Sequence, residues 1–131
     1  MPAYMLDTDT VSFALRGQGQ VAQRLLAHRP SEVCVSSLTL AELRYGADVR
    51  RSRRLHRVID TFVDTIEVTG FDRSAADRFG ALGALLARRG VPIGTVDTLI
   101  AAHALVLGLT LVTNNERHFS RVPGLTIESW L

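Results

Sequence analysis

The sequence contains no lysine, and all 15 of its basic residues are arginine. The formal net charge is only +2, but the pI is about 9.3. Arginine's planar guanidinium suits bidentate contacts with phosphate and stacking on bases, so this bias is compatible with a nucleic-acid partner. A GC-rich genome would produce the same bias, and composition leaves both explanations open.

Cysteine and long apolar runs are also scarce. The one cysteine, Cys34, cannot form an intramolecular disulfide, which favours a reducing compartment and a small buried side chain. The longest mostly apolar stretch, Thr98 to Val112, carries a histidine and a glycine and is shorter than the roughly 20 residues of a membrane span. The amino terminus lacks the pattern of a signal peptide. We therefore expect a cytoplasmic protein without a membrane partner.

The length of 131 residues fits one compact domain, residues 1–131, with a single core. Short apolar runs alternate with segments of helical spacing, which predicts βα units around a mainly parallel sheet. The apolar runs are "AYML", "EVCVSS", "DTIEVTGF", "LTLVTN" and "LTIESWL". The predicted helices cover 10–16, 20–27, 38–48, 53–63, 72–89 and 95–107.

Three acidic residues from separate segments, Asp7, Glu42 and Asp97, fall at strand ends or in the helices that follow. In an open α/β sheet, ligands bind beyond the carboxyl ends of the strands, so a parallel sheet could bring these carboxylates to one edge. Three carboxylates in one crevice would repel, and a divalent cation removes the repulsion. Ligation by oxygen alone selects Mg²⁺ or Mn²⁺ rather than zinc.

Each carboxylate also has a purely structural explanation. Asp7 could cap the helix that begins near Thr10, although Thr8 or Asp9 could cap it instead. Glu42 could be an exposed helix acid paired with Arg44 or Arg50, in a helix capped by Ser37 or Thr39. Asp97 could be a first-turn acid favoured by the helix dipole behind an N-cap at Thr95.

Two further stretches are candidates for binding. Asn115, in "TNNERHF", offers an amide oxygen to a metal at another strand end, unless this stretch is an ordinary polar turn. The run "VRRSRRLHRVIDTF" places Leu55, Val58, Ile59 and Phe62 on one helical face. The arginines mostly outside that face could grip RNA phosphates or form a solvated surface: Arg50, Arg53, Arg54 and Arg57.

Four stretches together resemble the PIN-domain ribonucleases, and among them the VapC toxins of bacterial toxin–antitoxin pairs. They occur in family order and span nearly the whole chain: "MLDTDTVSF", "VSSLTLAELRYGA", "PIGTVDTLIAAHALVLGLTLVTNN" and "FSRVPGLTIESW". The resemblance implies a three-layer αβα sandwich with a central, mainly parallel sheet. It also implies an acidic pocket for Mg²⁺ or Mn²⁺ and metal-assisted hydrolysis of structured RNA such as tRNA or rRNA.

The resemblance carries over to individual residues. Asp7, Glu42 and Asp97 match the family's first three acids, with Asp7 and Asp97 as principal metal ligands and Glu42 as a ligand or a group that orients water. The resemblance implies that the pocket holds one or two ions. Asn115 stands at the fourth position, which is often aspartate in the family, so the pocket is less negative and is expected to hold a second ion less tightly. The partners implied are an RNA substrate, a VapB-like antitoxin and a second copy of the chain in a homodimer.

Two rival readings predict different chemistry. "DTDTV" satisfies the D-x-D-x-[TV] motif of haloacid-dehalogenase-type phosphatases, but those enzymes, like receiver domains, normally need a lysine that this chain lacks. A non-catalytic RNA- or protein-binding module would keep the fold without the chemistry, and Asn115 supports that reading best.

Overall fold

The structure is a computed structural model that describes residues 2–131; Met1 lies outside the described residues. Its five strands form one sheet with the order β3-β2-β1-β4-β5, and every neighbouring pair is parallel. The strands are β1 (Tyr4–Leu6), β2 (Val33–Ser36), β3 (Glu67–Thr69), β4 (Thr110–Val112) and β5 (Ile127–Glu128). Each predicted apolar run therefore contains a strand.

The helices fill the connections between these strands. They are α1 (Thr8–Leu15), α2 (Val21–Leu26), α3 (Ser37–Val49), α4 (Arg53–Val63), α5 (Arg73–Arg88), α6 (Thr95–Leu107) and α7 (Glu116–Phe119). A short 3-10 helix, Pro30–Glu32, precedes β2. The bounds predicted for α4 and α6 are those observed, and α7 and the 3-10 helix were not predicted because neither is long enough to show a helical period.

Alternating side chains of the strands build two hydrophobic clusters, one on each face of the sheet. Met5, Cys34 and Leu111 belong to the cluster that packs against α5 and α6. Leu6, Val35 and Val112 belong to the cluster that packs against α1 to α4. The sheet is thus enclosed between two helical layers, which confirms the expected αβα sandwich.

Cys34 is fully buried on the face shared with α6. Burial raises the pKa of its thiol to about 11, so the thiol stays protonated and unreactive at neutral pH. The expectation of a small buried side chain is confirmed. Among residues 2–131, none of the helices combines the length and the apolar character needed to cross a bilayer.

The strand order reverses between β1 and β4. From β1 the chain proceeds to β2 and β3 on one side, and it then returns through α5 and α6 to place β4 on the other side of β1. The carboxyl ends of β1 and β4 flank the resulting crevice, which is where ligands bind in open α/β sheets. Residues that follow these two strands are the first candidates for a site.

Candidate metal centre at the switch point

Asp7 directly follows β1 and is the N-cap of α1. Its backbone N–H donates to the carbonyl oxygen of Val112 in β4 at 3.0 Å, and its Oδ1 accepts a hydrogen bond from the N–H of Thr10 at 2.9 Å. The Thr10 hydroxyl donates to the same Val112 carbonyl at 3.1 Å. The structural role suggested for Asp7 is therefore confirmed, and neither Thr8 nor Asp9 is the N-cap of α1.

Asp7 is a buried residue, only 5% exposed. Burial raises its pKa, and the nearby charge of Asp9 raises it further, while hydrogen bonds from Thr113 and Thr10 oppose the shift. No arginine or histidine lies within ion-pairing distance of it among residues 2–131. A buried carboxylate held only by neutral donors is a favourable ligand for a cation.

Asp97 lies in the first turn of α6. Gly94, not Thr95, is the N-cap of that helix, and its backbone at φ 93° and ψ 155° occupies a region that is essentially restricted to glycine. The Asp97 carboxylate is half-buried, and burial raises its pKa, with Asp9 adding to the shift. Asp9 thus lies within electrostatic reach of both Asp7 and Asp97.

His118 of α7 contacts two of the predicted site residues. Its Nδ1 lies 3.0 Å from Asp97 Oδ2 and 3.0 Å from the side-chain amide nitrogen of Asn115. Asn115 in turn donates its backbone N–H to the Thr113 hydroxyl at 3.0 Å. His118 holds the pKa of Asp97 down against the effect of burial. Sequence reasoning missed His118, although its position at the end of "TNNERH" lies only three residues after Asn115.

Glu42 is exposed on α3 and contacts Thr8, the first residue of α1. The Thr8 hydroxyl donates a hydrogen bond to Glu42 Oε1 and lies 3.3 Å from the Thr39 hydroxyl. The alternative pairing with Arg44 does not occur, because Arg44 forms its ion pair with Asp60. Ser36, rather than Ser37 or Thr39, caps α3 by accepting a hydrogen bond from the Leu38 N–H at 3.1 Å.

The donor chemistry of these residues fits Mg²⁺ or Mn²⁺. Asp7, Asp97 and Glu42 offer carboxylate oxygens and Asn115 an amide oxygen, all of them ligands for hard cations. The buried amide of Asn114 adds two polar atoms without a hydrogen-bond partner in the described part of the chain. Nevertheless, no three acidic, histidine or cysteine side chains of residues 2–131 form a preassembled metal-binding group.

The four candidate arginines of the arginine-rich run lie at two different helices, at the end of α3 and on α4. Arg53, Arg54 and Arg57 lie exposed on α4, whose apolar face packs into the core through Ile59, as the helical spacing predicted. Arg50 follows α3 and lines a cavity together with Glu42 and Thr8. Of the four predicted RNA-binding arginines, Arg50 thus lines the same cavity as a carboxylate of the candidate site.

A parallel sheet between two helical layers, with acidic side chains after its strands, is the α/β architecture that the resemblance to PIN domains implies. The PIN domain family model matches residues 4–125, and the chain belongs to this family. That result removes the haloacid-dehalogenase reading of "DTDTV". It confirms the family resemblance carried by the four sequence stretches.

The chain is similar to curated proteins that are named VapC. The chain is 40% identical over 131 residues to the tRNA(fMet)-specific endonuclease VapC of Salmonella typhimurium, covering 99% of each chain. It is 37% identical over 132 residues to ribonuclease VapC2 of Haemophilus influenzae, covering 100% of each.

Solved structures give the same result for the fold. The chain matches DNA-bound VapBC from Salmonella typhimurium with a TM-score of 0.92 and 40% identity, over 100% of both chains. It matches VapBC2 from Rickettsia felis, bound to a DNA fragment from their promoter, with a TM-score of 0.88 and 33% identity, over 98% of both chains.

Proposed function

We propose that this protein is a metal-dependent endoribonuclease that hydrolyses structured RNA and acts as the toxin of a toxin–antitoxin pair. The observation that carries the proposal is the buried Asp7 carboxylate, which lies at the switch point of a PIN fold without a cationic partner among residues 2–131. Relatives named tRNA(fMet)-specific endonuclease and ribonuclease support RNA as the substrate.

In this proposal Asp7 and Asp97 are the principal ligands of Mg²⁺ or Mn²⁺, and Glu42 and Asn115 complete the set. The bound ion would supply charge neutralisation at the phosphate and activation of water. Thr10 and Thr113 hold the Asp7 carboxylate in place by hydrogen bonds, and Thr8 does the same for Glu42. These neutral donors orient the carboxylates without competing for their charge.

We further propose a VapB-type antitoxin partner, because matching structures are VapBC complexes. We also propose that the protein forms a homodimer and is located in the cytoplasm. The large apolar side chains of Tyr45 and Val49, which are 73% and 65% exposed on α3, provide surface that a protein partner would cover.

Cleavage of end-labelled RNA tests the nuclease. Wild-type protein should cut tRNA or rRNA with Mg²⁺ or Mn²⁺ and should not cut in EDTA. Asp7→Asn should lose at least about 100-fold in rate, because it removes a charged ligand while the asparagine oxygen still caps α1. Asp77→Asn is the matched control, since Asp77 is exposed on α5, and it should cleave like the wild type.

The non-catalytic module makes the opposite prediction. RNA that is bound but intact under all metal conditions would favour the module and reject the nuclease. Metal-dependent cleavage that survives in Asp7→Asn would instead remove Asp7 from the site.

A further inference from the structure

A cavity of about 140 Å³ opens beside Glu42 where α1, α3 and α4 meet. Thr8 and Glu42 line one part of it, Arg16 and Arg50 line another, and Leu55 contributes to its apolar wall. The cavity therefore joins a carboxylate of the candidate metal centre to two guanidinium groups. Its wall is formed by three helices, so its shape is set by the packed layer on that face of the sheet.

A second cavity, of about 430 Å³, continues the first away from Glu42. It shares Leu15, Arg16, Arg50 and Leu55 with the first cavity and adds Arg54. We call the two together the basic trench. The trench is acidic where Glu42 lies and basic along the rest of its length.

The arginines of the trench are not neutralised by the chain. Neither Arg16 nor Arg50 has a carboxylate within 4.0 Å in residues 2–131, whereas Arg24 pairs with Glu128 and Arg44 pairs with Asp60. Arg16 makes only a cation–π contact with the Phe13 ring, at 5.2 Å from its centroid. Two unpaired guanidiniums on one depression create a site for an anion.

We propose that the basic trench binds the RNA backbone on one side of the cleavage point. Arg16 and Arg50 bind the phosphate nearest to Glu42, and Arg54 binds the next one. The proposal rests on the proposed ribonuclease function and adds where its substrate lies. RNA fits better than a peptide because it carries one negative charge per nucleotide, which matches arginines that follow one another along the trench.

Helix α4, which carries Arg54, also supplies arginines for control variants. Arg53 and Arg57 are exposed on α4 but line neither cavity of the trench. Replacing either one removes one positive charge, as each test variant does, and Arg54→Ala removes it from the same helix. A general loss of electrostatic attraction would therefore affect controls and test variants equally. Only a specific contact with phosphate would make the test variants bind RNA more weakly than the control variants.

The experiment measures binding of a labelled RNA stem–loop in EDTA, where no metal-dependent cleavage occurs, over a series of salt concentrations. Arg16→Ala and Arg50→Ala should each weaken binding about tenfold at 100 mM salt and lower the slope of log K against log salt by about 0.7–1. Arg54→Ala should act in the same direction. Arg53→Ala and Arg57→Ala should change the slope by much less. Melting temperatures confirm that all five variants are folded.

If the slope of log K against log salt fell equally in test and control variants, the proposal that RNA binds in the basic trench would be wrong. If the wild type still cleaved RNA in Mg²⁺, only this inference would fail, and the trench would be assigned to a peptide partner. If the wild type neither bound nor cleaved RNA, both this inference and the proposed function would be rejected.

Discussion

At the scale of single residues, Asp7 has two opposite effects on the stability of the fold. It caps α1 through Thr10, which stabilises the fold, and it keeps a carboxylate in a buried crevice, which destabilises the charged form. Because its pKa is raised, the folded protein binds the Asp7 proton more tightly than the unfolded chain does. The destabilisation is therefore present at neutral pH and fades as the pH falls through the folded-state pKa.

We expect Asp7→Asn to raise the free energy of unfolding of the metal-free protein at pH 7 by roughly 0.5–2 kcal/mol, or a few degrees in Tm. Asparagine keeps the cap and removes the buried charge. The gain should shrink as the pH is lowered, and it is measured by thermal unfolding in EDTA between pH 4 and pH 8.

The effect of Mg²⁺ on the Tm is a second measurement that tests the role of Asp7. Saturating Mg²⁺ should raise the Tm of the wild type and leave that of Asp7→Asn nearly unchanged, because a ligand stabilises only the state that binds it. The exposed control Asp77→Asn should behave like the wild type in both measurements. A lower Tm for metal-free Asp7→Asn would show that the charge stabilises the fold and would contradict the argument.

At the scale of elements, α6 is joined to two turns by one buried histidine. His103 Nδ1 lies 2.9 Å from the hydroxyl of Ser36, the N-cap of α3, and its ring donates to the carbonyl oxygen of Gly70 after β3. Phe71 packs edge-on against the ring, with centroids 5.3 Å apart. The helices that carry Glu42 and Asp97 are therefore positioned relative to each other by His103.

Burial lowers the pKa of His103 below its usual 6.5, although Asp72 and the Gly70 carbonyl partly oppose the shift. A lowered pKa means that the folded state favours the neutral ring, so this stability is complete above about pH 6.5 and decreases as the pH falls below it. The slope from this one group is at most about 1.4 kcal/mol per pH unit.

His103→Gln should remove that slope, because glutamine can still form hydrogen bonds but does not titrate. Urea unfolding at several pH values between 5 and 8 measures it. His56→Gln, on α4, is the matched control and should keep the loss of stability in acid. A His103→Gln variant that loses stability in acid with the same slope as the wild type would refute the assignment.

At the scale of the whole molecule, the end of the described chain packs back onto the beginning of the sheet. Trp130 is 1% exposed, stacks on His28 with ring centroids 4.9 Å apart, and contacts Tyr4 of β1 at 5.2 Å. Arg24 of α2 lies over the indole and pairs with Glu128 of β5. Trp130 thereby belongs to the cluster on the α1–α4 face of the sheet.

Trp130→Ala should reduce the free energy of unfolding by about 3–5 kcal/mol, because it removes a large buried side chain and leaves a cavity. Denaturant unfolding measures the loss. Leu26→Ala removes a side chain that is 87% exposed and should change stability by less than about 0.5 kcal/mol. Equal effects of the two substitutions would mean that Trp130 adds little to the fold.

The amino-acid sequence by itself determined the elements and their order. Apolar runs and helical periods are local patterns, so the five strands and the helices Arg53–Val63 and Thr95–Leu107 were predicted from them. The same patterns placed Asp7, Glu42 and Asp97 near strand ends, and the resemblance to the PIN family was confirmed by the family match. Their role in binding metal is still a prediction.

Only the tertiary structure decided which side chains meet. Thr8 donates a hydrogen bond to Glu42 from 34 residues away, His118 contacts Asp97 from a different helix, and the backbone N–H of Asp7 donates to Val112 in β4. Arg50, the C-cap of α3, lines a cavity together with Glu42, whereas Arg53 and Arg57 do not line it. Such contacts depend on the packing of distant segments, which no local pattern of residues encodes.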